Sequence, residues 1–581
     1  MPEGRQTPPA FFVLFKFVGS EYLKVMTSSQ TGLNPEPQSL YAAFEATARR
    51  FPDRPALKGE GGRGLTLTYT QVLDHVTRLA AGLQAPEYAD LKEVGLISEN
   101  RPEWVVAYLA VVASGKTVVP VDANLKPNEI EALLRHARLR AIFVSGRFEK
   151  RIADSQIVPS IFSFEASSTN HWQKLMSDPV DFTPLGSRES TAVLIFTSGT
   201  TGEPKAVVLT HGNILANLKG IEFAVSIDER DTYLSLLPLH HTFEATCGLL
   251  TPLTRGATVV YARTLKSKDI REDIAANRIS VMCGVPLLFE KLYHALRRNI
   301  QSASPQRRAA FNALYALSAM GWGIRRKWGR RLFSPLLRKS GMDNVRLFVS
   351  GAAALPPHIS RFFCLVGVDL LQGYGMTETS PVISVTRHDD IRFGSVGPPL
   401  VGVDVKIDKP DEHGIGEITV RGANCTPGYW NNPEQTAELW RDGWLHTGDL
   451  GRFKRGHLWI TGRAKNLIVS AAGKNIYPEE IEERLLASDY VLEAIVFGRP
   501  KQGRQGEEVR ALIVPDLDQL QAGFGIESAN PDLAQIREVL SREVAGVNAS
   551  MADYKRISGF DFQLQELEKT STRKIKRFVY R

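Results

Sequence analysis

Two glycines, four hydroxyl residues and one lysine fall within nine positions, in the string Thr197-Ser-Gly-Thr-Thr-Gly-Glu-Pro-Lys205. Gly199 and Gly202 permit backbone angles that bring N–H groups close to a ligand. Thr197, Ser198, Thr200 and Thr201 add hydroxyl donors without bulk, and Lys205 supplies a mobile positive charge for phosphate oxygens. The composition describes a phosphate cradle, although the Gly-x-x-x-x-Gly-Lys-Ser/Thr order of nucleotide P-loops does not fit. The bland alternative is a polar surface loop. Further on, Gln372-Gly-Tyr-Gly-Met-Thr-Glu-Thr-Ser-Pro381 sets Tyr374 between two glycines, a flat face offered to a base. Thr377 and Glu378 there put a hydroxyl beside a carboxylate, a pair suited to phosphate and Mg2+. In Trp444-Leu-His-Thr-Gly-Asp-Leu-Gly451, Asp449 can accept from two neighbouring hydroxyls, as a ribose presents them. Singly, each of these is more often an ordinary turn.

The elements that must position these residues alternate between short apolar runs and amphipathic stretches. The first clear helix is Leu40–Arg50, and Thr191–Phe196 reads as a buried strand leading into the cradle. Strands at Val94–Ser98, Thr117–Val121 and Ala141–Ser145 enclose helices at Pro102–Ala113 and Pro127–Arg138, each with proline in its first turn. That repetition predicts a parallel sheet covered on both faces. Residues 188–390 repeat it, with strands near Ala192, Tyr233, Thr258, Val281 and Val345. Beyond Gly394 come short strands with Gly/Pro turns at Val403–Ile407, Gly416–Val420 and His457–Ile460, a small β-barrel-like subdomain. A compact α/β piece of roughly domain size closes the chain.

The cradle string closely resembles the signature of the acyl-adenylate-forming, or AMP-binding, superfamily, with Ala206 where glycine is usual. Five motifs occur in that family's order between Leu40 and Arg577, and the nearest branch is the long-chain fatty acid–CoA ligases. The resemblance implies an α/β fold. A large N-terminal part holds two parallel-sheet subdomains and the barrel-like one, and a small mobile α+β C-terminal domain follows. The expected boundaries are 1–35 (an extension, with Met26 as the true start, or a weak membrane-surface anchor), 36–462 and 463–581. The implied site places Tyr374 and Gly375 at adenine, with Gly351, Ala352 and Ala353 along its edge. Ala353 stands where glycine is common. Thr377 meets the α-phosphate, Glu378 ligates Mg2+ with Thr197 beside it, and Asp449 with Arg463 holds the ribose. Lys465 is the hinge, Gly473 and Lys474 line the pantetheine path of CoA, and Lys574 enters the site during adenylation. Lys569 and Lys576 are the lysines most easily mistaken for it. His241, in Leu237-Pro-Leu-His-His-Thr-Phe-Glu244, stands at the mouth of the acyl site with His240 secondary, and Glu244 resembles the long-chain branch.

The implied reaction joins a fatty acid to AMP using ATP and Mg2+, then passes the acyl group to CoA. Two alternatives stay open: transfer to a carrier protein or another acceptor, and a catalytically idle lipid-binding protein. At 581 residues the chain needs two or more domains, and its hydrophobic and charged contents, 43% and 23%, are ordinary for a globular protein. Cys247, Cys283, Cys364 and Cys425 lie far apart, which argues for a reducing, cytoplasmic setting and against a zinc site. The net charge of +8 is concentrated: residues 297–339 hold eleven Lys/Arg and no Asp/Glu. That argues against general nucleic-acid binding. Ile324, Trp328, Leu332 and Leu336 are spaced for one helical face beside Arg325, Arg326, Arg330 and Arg331, which suggests peripheral contact with an anionic membrane at the inner face of the cell membrane. A core-packed helix with a basic outer face fits equally well. Self-association into a homodimer is left open.

Overall fold

The computed structural model describes residues 36–63, 65–178, 182–198, 204–322, 328–470, 474–500, 506–527, 530–569 and 575–580. Met26, Gly199, Thr200, Thr201, Gly202, Ile324, Arg325, Arg326, Gly473 and Lys574 therefore lie outside the described residues.

Local chemistry starts the helices where the sequence places them. Ser39 caps Leu40–Arg50 by accepting from the Ala42 N–H, and Thr68 and Gln71 form a capping box at Tyr69–Leu83. Apart from Glu103 in its first turn, Pro102–Ala113 is apolar all round and buried, the form of a helix sandwiched between layers. Around it lie two mainly parallel sheets. The six-stranded sheet runs Ser160–Ser163, Ala141–Val144, Glu93–Ile97, Thr117–Pro120, Thr191–Ser198, Pro204–Thr210, and only the last pair is antiparallel. The eight-stranded sheet is parallel from Pro55–Lys58 through Thr258–Tyr261, Thr232–Ser235, Val281–Gly284 and Leu347–Ser350 to Asp369–Gly375. Antiparallel strands, Thr66–Thr68 and Val382–Val385, close its two edges. Continuous apolar strands such as Val281–Gly284 are buried on both faces, as the sequence implied. The strand expected near Val345 begins two residues later, at Leu347.

A five-stranded antiparallel sheet follows, built from Val403–Asp408, Gly416–Gly422, Trp440–Arg441, Trp444–Lys454 and His457–Arg463. From Ile468 onward a separate hydrophobic core forms. The helices Pro478–Leu485 and Leu533–Ala549 cover a mixed sheet of Val491–Pro500, Glu507–Pro515 and Gly559–Phe562.

The basic segment departs from its single-face reading. Trp328–Leu332 and Ser334–Lys339 are two short helices, and Pro335 sits in the first turn of the second. Leu332 and Leu336 pack against the main core. The Arg330 guanidinium donates to the carbonyls of Val345 (2.5 Å), Gly367 (3.3 Å) and Asp343, so it braces the fold. The exposed apolar residues lie one helix earlier, on Pro305–Gly321, where Met320 is 80% exposed and Leu317 42%. No described helix is long and apolar enough to cross a membrane. All four cysteines are buried thiols, none of them in a disulfide.

Candidate active site

The described ends of the cradle string, Thr197 and Lys205, lie on two paired strands. Thr197 pairs with Lys205 across the antiparallel strands Thr191–Ser198 and Pro204–Thr210, and its hydroxyl donates to the Lys205 carbonyl at 3.4 Å. A segment some 220 residues away in sequence is laid along the outer strand. The Val208 N–H donates to the Gly428 carbonyl (3.1 Å) and the Trp430 N–H to that of Ala206 (2.8 Å). Tyr429, between them, was not singled out from the sequence, yet it joins two predicted site residues. Its ring lies 5.4 Å from Lys205 Nζ and its hydroxyl donates to Glu378 Oε1 at 2.7 Å. Glu378 is buried in the 3-10 turn Thr377–Thr379, and its own carbonyl takes the Thr426 N–H at 2.8 Å. Burial, then the adjacent Glu378 carboxylate, pushes the Tyr429 hydroxyl far above its ordinary value, so it stays a donor. A carboxylate with one oxygen held by a phenol keeps hard oxygen lone pairs suited to Mg2+.

Four residues before Glu378, Tyr374 connects to the ribose motif. Gly375 between them has no alternative, since a Cβ there would sit 1.8 Å from the Pro381 carbonyl oxygen. Asp449 lies in Trp444–Lys454 directly opposite Arg463 in His457–Arg463. Arg463 Nε donates to Asp449 Oδ1 at 2.7 Å and the Tyr374 hydroxyl to Oδ2 at 2.9 Å. Asp449 is only 6% exposed and carries a donor on each oxygen. Burial and the same carboxylate raise the Tyr374 hydroxyl well above normal, and Asp449 raises Arg463. The turn ahead of Asp449 needs Gly448 at φ +70, and Glu417 Oε1 accepts its N–H at 3.0 Å.

The adenine-edge segment follows Leu347–Ser350. Gly351 leaves room for Phe243, whose Cζ a Cβ would approach to 2.8 Å. Ala352, rather than Ala353, holds the left-handed conformation, at φ +71, and non-glycine residues there collect at functional turns.

His240 and His241 lie on the turn after Thr232–Ser235, with ring centroids 4.1 Å apart. Asn100 ties this turn down, donating to the Leu237 carbonyl at 2.7 Å and accepting the Leu239 N–H at 3.0 Å. Glu244 is fully buried at the head of a π-helix, Glu244–Leu250. Ser235 donates to its Oε1 at 2.6 Å, its Oε2 makes no hydrogen bond, and burial lifts its carboxyl to about 8. It is an interior acid.

The remaining predicted residues belong to the C-terminal part. Lys465 lies in the 3-10 turn Ala464–Asn466, where Asn466 donates to Glu479 at 2.7 Å. Lys474 stands over the Tyr554 ring at 4.7 Å and is not gathered with the nucleotide-side residues. Lys569 is buried in an ion pair with Glu493 and another with Glu566 at 2.7 Å, and it bridges to Ile575 across residues 570–574. Burial alone would lower its ammonium, but the two carboxylates outweigh it and raise it.

The AMP-binding enzyme family matches residues 44–430 and the AMP-binding enzyme C-terminal domain residues 480–574. The peroxisomal long chain acyl-CoA synthetase 6 of Arabidopsis thaliana is 31% identical over 508 residues, 80% of this chain and 72% of its own. A long-chain-fatty-acid–CoA ligase of Mycobacterium tuberculosis is 29% identical over 555 residues, 88% and 90% of the two chains. The crystal structure of ATP-bound MatB from Rhodopseudomonas palustris shares the fold at a TM-score of 0.74 and 25% identity, covering 94% of this chain and 98% of that one. The chain belongs to the AMP-binding enzyme family.

Proposed function

We propose that the protein is an AMP-forming ligase that activates a medium-to-long-chain fatty acid and passes it to CoA. The observation that carries this reading is the linked row Lys205–Tyr429–Glu378 and Tyr374–Asp449–Arg463. It lines up, in order, groups suited to phosphate, Mg2+, base and ribose. A fatty-acid carboxylate oxygen attacks the α-phosphorus of ATP. The new bond is the acyl–phosphate mixed anhydride, and the bond broken, between the α- and β-phosphates, releases pyrophosphate. Charge grows on the phosphoryl oxygens, where Thr197–Lys205, Thr377 and an incoming Lys574 stabilise it. Mg2+ at Glu378, with Thr197 beside it, would supply further neutralisation of that charge. Tyr374, with the Gly351–Ala353 edge, orients adenine, and Asp449 with Arg463 orients the ribose. His241 fronts the acyl entrance. The domain from 463 onward then turns about Lys465, which withdraws Lys574 and brings Gly473 and Lys474 to the pantetheine path. The CoA thiolate attacks the acyl carbon, forming the thioester and releasing AMP.

The test is pyrophosphate release from ATP and Mg2+ across C6 to C20 acids, with and without CoA, and products identified by mass. Acyl-CoA with a chain-length optimum is expected. Acyl-adenylate that never becomes acyl-CoA would point to a carrier protein or another acceptor, and no acid dependence would end the reading. Peripheral contact with an anionic bilayer is proposed at residues 297–339, through Leu317, Met320 and the exposed Arg307 and Arg308. Co-sedimentation with anionic liposomes should weaken with salt and in Arg307→Glu/Arg308→Glu, and absence of binding at low salt would end that proposal.

A further inference from the structure

Beside the proposed acyl entrance lies a set of ligand-type side chains, of which only His241 has a part in the proposed reaction. Asp122 stands just past Thr117–Pro120 of the six-stranded sheet, and His240 and His241 just past Thr232–Ser235 of the eight-stranded one. The carboxyl ends of two parallel sheets thus bring them together, the place where such sheets bind ligands. One ligand atom from each of the three residues lies within 4.8 Å of the other two. His240 Nε2 is buried, makes no hydrogen bond, and faces Asp122 Oδ1 at 3.3 Å. Two ligands at the usual ~2.0–2.1 Å from a tetrahedral ion stand about 3.3–3.4 Å apart, so this pair already has the spacing of a coordination shell. Asp122 Oδ1 also accepts from the Asn124 N–H (2.8 Å) and Nδ2 (3.2 Å), the outer support that ligating carboxylates receive.

We propose that Asp122, His240 and His241 form a three-ligand site for a first-row transition-metal ion, of which Zn2+ is the natural occupant. Two imidazoles and one carboxylate suit Zn2+ or Co2+ and not the Mg2+ of the nucleotide site. The scattered cysteines argue only against thiolate ligation. The bland alternative is a carboxylate–imidazole ion pair that needs no metal. A functional consequence rests on the proposed function: an ion here engages His241 and obstructs the acyl entrance, so Zn2+ inhibits competitively against fatty acid.

The test uses the full, untagged chain without nucleotide, titrated with CoCl2 and followed by visible ligand-field absorption. One equivalent of tetrahedral Co2+ is expected, displaced by Zn2+. Affinity should fall about tenfold or more in Asp122→Asn and in His240→Gln, with folding checked by circular dichroism. No such spectrum, or the same affinity in both variants, overturns the site whatever the activity assay shows. In parallel, Zn2+ should raise the KM for fatty acid in the wild type and much less in His240→Gln. Site-dependent Co2+ binding with no effect on that KM would uphold the metal site and overturn the placement of His241 at the acyl entrance.

Discussion

Two buried carboxylates, one at each end of the site, are treated in opposite ways. Asp449 has a guanidinium donating to one oxygen and a phenol to the other. Glu244 has one hydroxyl donor on Oε1 and no hydrogen bond on Oε2. With Cys247, Cys283 and Tyr261 as its titratable neighbours, it faces no cation among the groups shifted by it. Burial therefore holds it neutral up to about pH 8. Under the proposed function, the contrast separates a carboxylate assigned to the nucleotide, with a donor on each oxygen, from a neutral acid buried after the histidine turn.

Breaking the charged end should have the largest effect. Glu378→Gln and Asp449→Ala should each lower adenylation by about 10²–10³, read as acid-dependent pyrophosphate release, because each removes an electrostatic contact made to the reacting nucleotide. Loss below about threefold would mean that the row is structural.

The neutral end makes a pH prediction of its own. Glu244 stays protonated in the fold well above the range in which an unfolded carboxyl ionises. Its stabilising contribution is complete at low pH and is lost as pH rises from the ordinary carboxylate range towards about 8. Thermal unfolding of the wild type should therefore weaken between about pH 5 and pH 8, relative to Glu244→Gln, by on the order of a few kcal/mol. Parallel profiles for the two proteins would show that Glu244 is charged in the fold.

Tyr429→Phe sharpens the comparison with a smaller change. Losing the phenol from Glu378 should cost about tenfold in adenylation and raise the Mg2+ requirement, with little effect on overall stability. An unchanged Mg2+ dependence would detach Tyr429 from the metal side of the site.

The candidate residues were legible in the sequence because they sit in short strings whose glycines and hydroxyls need to be neighbours. Of these, Tyr374, Asp449 and Arg463 meet in space, while Glu378 is held by Tyr429. What escaped was every contribution made across the chain. Tyr429 reaches Glu378 over 51 residues and Asn100 reaches the Leu237 carbonyl over 137, and neither carries a local signature beyond a Pro-Gly turn or a lone amide. The sheets were readable from continuous apolar strands and proline-started helices. The basic segment followed its core-packed reading at Leu332 and Leu336, but the single helical face does not continue through Pro335, where a second helix starts. Ala352 was named with Gly351 and Ala353, but its left-handed angle leaves no trace in residue type.

The most direct test of the charged nucleotide end is ATP–pyrophosphate exchange with labelled pyrophosphate, Mg2+ and a fatty acid, without CoA, comparing the wild type with Asp449→Ala. The account predicts exchange that requires the acid, proceeds without CoA, and falls by about 10²–10³ in the variant while circular dichroism is unchanged. Exchange that ignores the acid, or ATP cleaved to ADP and phosphate, would contradict it.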